Sequence, residues 1–237
     1  VGLLVGDRSQ SVARLMTCLT LTPDSVAEAV DRQADLVVTH HPLPFKPVRR
    51  LTTDAVEGQM LWDLARAGVS VYSPHTAFDS AAGGINAQLA TGLELKEVAP
   101  FAADEEDPSI GTGRAGRVDG SLTVDGLAER TKRLLGLDAV WVVGAAEQPV
   151  TQVGLACGAG GSMLDDAIAA GCDAMVTGEA TFHGCLAAEA RRVALVLVGH
   201  YASERFAVEA LAQQLADAIT GVDTWACAAE HDPLRTV

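Results

Sequence analysis

The chain has 237 residues, 49% of them apolar and 20% charged, with a formal net charge of −14. That length buries a sizeable core in one domain or two modest ones, and the acidic balance argues against general nucleic-acid binding, which needs a basic face against phosphate. No apolar run approaches the roughly eighteen residues that span a bilayer, so a soluble chain with no membrane partner is expected.

From the N-terminus, Val1 to Gly6 reads as a buried strand and its turn. It lacks the basic stretch and small-residue cleavage site of a secretory signal. Because the chain starts on Val1, directly inside this strand, the sequence is compatible with a further upstream segment. Ala13 to Leu21 follows as a strand. Thr22-Pro23-Asp24-Ser25 then opens a helix to about Gln33, with Thr22 as N-cap and Pro23 at the first helical position. Next come a strand at Leu36 to Thr39, a helix at Ala55 to Ala67 and a strand at Val69 to Ser73. The stretch Ala102 to Pro108, carrying Asp104, Glu105, Glu106 and Asp107, reads as a linker. Beyond it, helices are predicted at Leu127 to Leu135, Met163 to Ala170, Gly184 to Arg191 and Glu204 to Ile219. Strands are predicted at Val140 to Val143, Val153 to Cys157, Ala174 to Thr177 and Ala194 to Val198. Apolar runs alternating with helix-period stretches predict the α/β class. The five cysteines (Cys18, Cys157, Cys172, Cys185, Cys227) form no CxxC pair, so they read as small buried hydrophobes and favour a reducing cytoplasm.

The two halves resemble each other. Val1-Gly2-Leu3-Leu4-Val5-Gly6, a helix and Ala34-Asp35-Leu36-Val37-Val38-Thr39 match Val153-Gly154-Leu155-Ala156-Cys157-Gly158, a helix and Cys172-Asp173-Ala174-Met175-Val176-Thr177. Each half continues to an acid four residues after a histidine: His75 and Asp79 in the first, His200 and Glu204 in the second. An internal duplication is expected, giving lobes 1–100 and 101–237. The expected architecture is two similar α/β lobes with mixed sheets flanked by helices, and one metal centre in the cleft between these unequal halves.

The candidate chemistry sits at strand ends, where open α/β sheets gather ligands. His40 and His41 follow the strand ending at Thr39 and precede the proline-stiffened Pro42-Leu43-Pro44-Phe45-Lys46-Pro47. Adjacent imidazoles on extended backbone point apart, which suits two metals better than one chelate. The alternative is one histidine bonded to backbone and one solvated. His200 follows the apolar run Val193 to Gly199, and with a helix beginning near Ser203 its imidazole and the Glu204 carboxylate share a face. Such a pair is weak evidence alone, and His75 with Asp79 repeats it.

These blocks resemble the Nif-three-like dinuclear metal-centre family, some members of which carry the label GTP cyclohydrolase type 2 homologue. The match rests on Val1 to Asp7, Ala34 to Pro42, His75 to Asp79, Gly111-Thr112-Gly113-Arg114-Ala115-Gly116, Cys157 to Ser162 and Val198 to Glu204. The resemblance implies two divalent cations on His40, His41, Asp79, His200 and Glu204, with Glu204 bridging, and a ring-shaped homohexamer. The family pattern usually has aspartate where this chain has Thr20, and a helix ahead of the first strand. His75 is not a ligand in that pattern; a catalytic role as proton carrier, or a supporting position beside the ligands, is expected.

Three histidines and two carboxylates suit zinc, iron, manganese or cobalt better than calcium or magnesium. A metal pair makes hydrolysis of a small phosphorylated or nucleotide-like substrate the natural chemistry, GTP ring opening being the narrower version. The competing reading is a metal-stabilised hexameric scaffold or regulator without catalysis. Lys46, Arg49 and Arg50 either steer an anionic substrate or belong to a solvated loop. Gly158 to Ser162 reads as a tight turn rather than an anion cradle. His183 either faces the same cleft or serves in capping or packing, Ser203 caps the following helix, and His231 is solvated.

Overall fold

The computed structural model describes residues 1–235. The first elements along the chain are β1 (Gly2–Val5), β2 (Arg14–Cys18), α1 (Pro23–Asp31), β3 (Leu36–Thr39), α2 (Val56–Ala67), β4 (Ser70–Ser73), α3 (Thr76–Ser80) and α4 (Ile85–Gly92). There follow β5 (Lys96–Ala99), β6 (Ala102–Ala103), β7 (Gly111–Thr112), β8 (Arg114–Thr123), α5 (Val124–Leu135), β9 (Trp141–Val143) and β10 (Pro149–Ala156). After a 3-10 turn at Gly160–Met163 come α6 (Leu164–Ala169), β11 (Ala174–Thr177), α7 (Phe182–Ala190), β12 (Ala194–Leu197), α8 (His200–Ala218) and β13 (Asp223–Ala226). The α/β class and the mixed sheets flanked by helices are as expected.

The chain forms two compact units, one of Val1–Phe78 with Arg205–Leu234 and one of Asp79–Glu204. This differs from lobes of 1–100 and 101–237, because the C-terminal stretch returns to the first unit. Trp225 Nε1 and the amides of Ala228 and Ala229 all donate to the Glu28 carboxylate on α1, fixing β13 beside β2. The acidic stretch 102–108 is no boundary: β6 pairs with β7, and the stretch lies inside the second unit.

In the first unit the sheet order is β1-β4-β3-β2-β13, with β2, β3 and β4 parallel and β1 antiparallel to β4. Apolar faces of α1 (Val26, Ala29) and α2 (Met60, Leu61, Leu64) close over Met16, Val37, Val71 and Trp225. α1 begins where the sequence predicts: Ser25 N donates to Thr22 Oγ1 at 3.2 Å and Thr22 N donates to Ser25 Oγ at 2.7 Å, a capping box with Pro23 inside the first turn.

The second unit has the order β5-β8-β10-β11-β12-β9, with β10, β11 and β12 parallel and β9 antiparallel to β12. Its core joins Leu164 and Ala167 of α6 and Ala188 of α7 to Ala156, Met175 and Leu195. Four strands thus recur in the same order and direction: β1-β4-β3-β2 in one unit, β9-β12-β11-β10 in the other. This corrects the sequence pairing of Val1 to Gly6 with Val153 to Gly158. The topological partner of β10 is β2, and the shared apolar-then-glycine pattern marks strand-end turn chemistry rather than equivalent position.

Candidate metal centre

In the first unit, parallel β3 sits between β2 and β4, so both neighbours hold the backbone where it leaves the sheet. His40 N donates to Cys18 O (3.0 Å) and His41 N to Leu19 O (2.8 Å). Ser73 Oγ donates to His40 O at 2.8 Å, and Thr39 Oγ1 to His41 O at 3.0 Å. His40 is buried at 3% exposure. The Thr20 hydroxyl lies 2.6 Å from His41 Nδ1, at the position where the resemblance leads one to expect an aspartate. Beyond β4, His75 adopts φ +40°, a left-handed conformation that side chains rarely take outside constrained sites. Its ring lies 5.3 Å from that of His40 and 5.9 Å from that of His41. The three histidines offer ring nitrogens within 4.8 Å of one another. That donor set is chemically suited to a divalent cation. His75 therefore belongs to the cluster on geometry, whatever its role.

The second unit gathers Asp79, Cys157, Glu179, His200 and Glu204. The helix expected to begin near Ser203 begins at His200, so His200 and Glu204 both lie in the first turns of α8. Their nearest atoms, Nε2 and Oε2, are 3.3 Å apart, and Glu204 is buried at 3% exposure. The Glu204 hydrogen bond outweighs burial and, with the nearby Glu179 charge, lifts the His200 pKa to about 9. Ser203 does not cap the helix. Its buried hydroxyl donates to His200 O (2.7 Å) and accepts from Gly158 N (2.8 Å), tying α8 to the end of β10.

Gly158 has φ +56°, and a β-carbon there would run into the Glu204 carboxylate, with His200 Nε2 at 3.1 Å. Only glycine leaves the carboxylate its space. The residues present thus fit a bound cation: an imidazole and a buried carboxylate on one helical turn, in a cradle that any Cβ would fill.

Asp79 is held from two sides. Asn86 Nδ2 donates to its carbonyl and Cys157 Sγ to its carboxylate at 3.2 Å. Burial first, then the charges of Asp79 and Glu204, hold the Cys157 thiol well above its ordinary range, so it stays a protonated donor. Arg114, 2% exposed, donates to the carbonyls of Ser80, Ala81, Ser109, Gly111 and Gly113. This explains the Gly-Thr-Gly-Arg block: the guanidinium fixes the backbone just after Asp79.

Cys157, expected as a plain hydrophobe, is instead a donor to Asp79, and Arg114 and Glu179 enter the site without a role expected from the sequence. Cys157 and Glu179 act on partners distant in the chain, and Arg114 reaches both the nearby Ser109, Gly111 and Gly113 and the distant Ser80 and Ala81. Lys46, Arg49 and Arg50 are exposed in the first unit. His183 is exposed on the first turn of α7, beside Phe182, and His231 is exposed. Gly158 to Ser162 forms the expected turn, continuing into the 3-10 turn. A cavity of about 780 Å³ between α1 and α2 contains none of the clustered side chains and supplies no convergent donor set, so the chemistry locates the site elsewhere.

The family model of Duf34/NIF3 (NGG1p interacting factor 3) matches residues 1–233. The chain belongs to the Duf34/NIF3 family. Among Duf34/NIF3 relatives, a Streptomyces coelicolor protein named GTP cyclohydrolase 1 type 2 homolog is 34% identical over 209 residues, covering 86% of this chain and 73% of that protein. A Schizosaccharomyces pombe protein NIF3 homolog is 31% identical, covering 97% and 86%. The crystal structure of a Bacillus cereus protein related to NIF3 shares the fold at TM-score 0.90 and 20% identity, covering all of this chain and 93% of that one.

Proposed function

We propose that His40, His41, Asp79, His200 and Glu204 would hold two divalent cations, and that the protein hydrolyses a small phosphorylated or nucleotide-like molecule. The observation that carries this reading is the donor chemistry: clustered imidazoles on a pinned strand end in one unit, and a cradled imidazole and carboxylate pair in the other. The name of the relatives, GTP cyclohydrolase 1 type 2 homolog, supports a nucleotide as the narrower substrate.

Zinc, iron, manganese or cobalt suits this set of three histidines and two carboxylates. A bound pair of such ions supplies Lewis-acid polarisation of a phosphoryl or carbonyl oxygen and acidifies water. Around it, Thr20 orients His41 through Nδ1, and Cys157 orients Asp79. The His75 imidazole carries a proton on a ring nitrogen to and from the reacting group. Lys46, Arg49 and Arg50 attract an anionic substrate against the chain's negative field. A ring-shaped homohexamer is the assembly we infer, supported by exposed apolar side chains such as Trp141 and Phe182, each 73% exposed.

The test is to load the protein with Mn, Fe, Co or Zn and screen phosphoesters, nucleotides and cyclic amides, with His200→Ala as control. Turnover lost in His200→Ala supports the reading. Absence of turnover with every metal, or turnover that survives the substitution, overturns it. Formate release from GTP decides the narrower version.

A further inference from the structure

β11 ends at Thr177 and is followed by Gly178 and Glu179, just as β3 ends at Thr39 and is followed by His40 and His41. The Glu179 backbone is fixed on both sides: its amide donates to Gly158 O at 2.9 Å, and its carbonyl accepts from Gly161 N at 3.0 Å. This rigid corner brings Glu179 Oε1 to 3.4 Å from His200 Nδ1, while His200 Nε2 faces Glu204. A neutral imidazole carries one proton on two nitrogens. A carboxylate at Nδ1 favours the tautomer with the proton there and leaves the Nε2 lone pair available to a cation, with greater basicity.

We propose that Glu179 is the positioning residue of His200, holding the imidazole by Nδ1 so that Nε2 is presented to a divalent ion. The inference rests on reading His200 as a metal ligand. The Glu179 side chain is 55% exposed, so a small rotation closes the contact to the about 2.8 Å of a charge-assisted hydrogen bond. The same exposure means that the fold does not depend on this carboxylate. The first unit meets the same need differently, with the neutral Thr20 hydroxyl on His41 Nδ1.

The test titrates Zn or Co into the metal-free full chain and follows binding by calorimetry and by the visible spectrum of the cobalt form. Glu179→Ala is expected to weaken binding by about 10–100-fold and to shift the cobalt spectrum, with the melting temperature of the metal-free protein little changed. Glu179→Gln, whose amide oxygen still accepts from Nδ1–H but carries no charge, is expected to fall between wild type and Glu179→Ala. A purely structural role would not produce that graded order. Wild-type affinity and spectrum in Glu179→Ala, alongside impaired binding in His200→Ala, would overturn the role of Glu179 and leave the ligand reading standing. Wild-type affinity in His200→Ala would overturn both.

Discussion

Gly158→Ala probes the coupling between the turn after β10 and the carboxylate on α8. Two costs separate cleanly. An L-residue in the left-handed region costs about 1–2 kcal/mol, and Gly158 sits at φ +56°. For a chain of this length each kcal/mol lowers the melting temperature by about 2–4 °C, so the backbone alone predicts a loss of about 2–8 °C. The new methyl also overlaps the Glu204 carboxylate, whose oxygen must withdraw by more than 1 Å to regain a normal contact of about 3.5 Å. Gly171→Ala is the control, because its φ is +80° and nothing lies within 4 Å of its would-be β-carbon. Both variants are expected to melt lower in differential scanning calorimetry. Only Gly158→Ala is expected to lose metal affinity, by about tenfold or more, since a displaced ligand costs at least as much as a lost supporting contact. Undiminished metal affinity in Gly158→Ala, or an equal loss in Gly171→Ala, would refute the cradle.

Arg114→Met removes a buried cation that serves five carbonyls, and hydrogen bonds to charged groups are each worth about 1.5–3 kcal/mol. Urea unfolding should show a loss of at least about 3 kcal/mol, and a loss under 1 kcal/mol would contradict the clamp. His75→Gln is expected to slow turnover by about 10²–10⁴-fold while leaving metal content intact, as for a lost proton carrier; metal loss would make His75 a ligand instead. His200 has its pKa raised from 6.5 to about 9 in the metal-free protein, chiefly by its hydrogen bond to Glu204. A raised pKa contributes stability that is fully present below pH 6.5 and lost as the pH rises through 9. Its side chain is 35% exposed, so solvent screening keeps the effect small. Unfolding of metal-free protein between pH 6 and 9.5 should show this decline, and His200→Gln should flatten it; an unchanged slope would contradict the assignment.

The parts legible in the sequence were those written locally. Thr22 and Pro23 announced α1 because a cap and its first turn are neighbours in the chain, and uninterrupted apolar runs marked the parallel strands. His40, His41 and His200 were found because each follows such a run directly. β8 lies outside the expected strands: Arg114–Thr123 mixes glycine, arginine and aspartate, and its strand state comes from pairing with β5 and β10 rather than from any apolar run. The lobe bounds 1–100 and 101–237 differ from the compact units for a related reason, since β13 joins β2 across more than 200 residues of chain. Nothing local tells what Glu179 and Cys157 touch. Their meaning depends on which strand ends are neighbours, and the mistaken pairing of β1 with β10 shows how little a repeated Val-Gly-Leu pattern says about that.

Whether these five side chains hold two divalent ions is tested most directly by anomalous diffraction from crystals of the protein reconstituted with zinc or manganese, collected at the metal edge. Two peaks per chain are expected, each within about 2.0–2.2 Å of donor atoms drawn from His40, His41, Asp79, His200 and Glu204. Peaks elsewhere, or none at full occupancy of the metal in solution, would contradict this assignment.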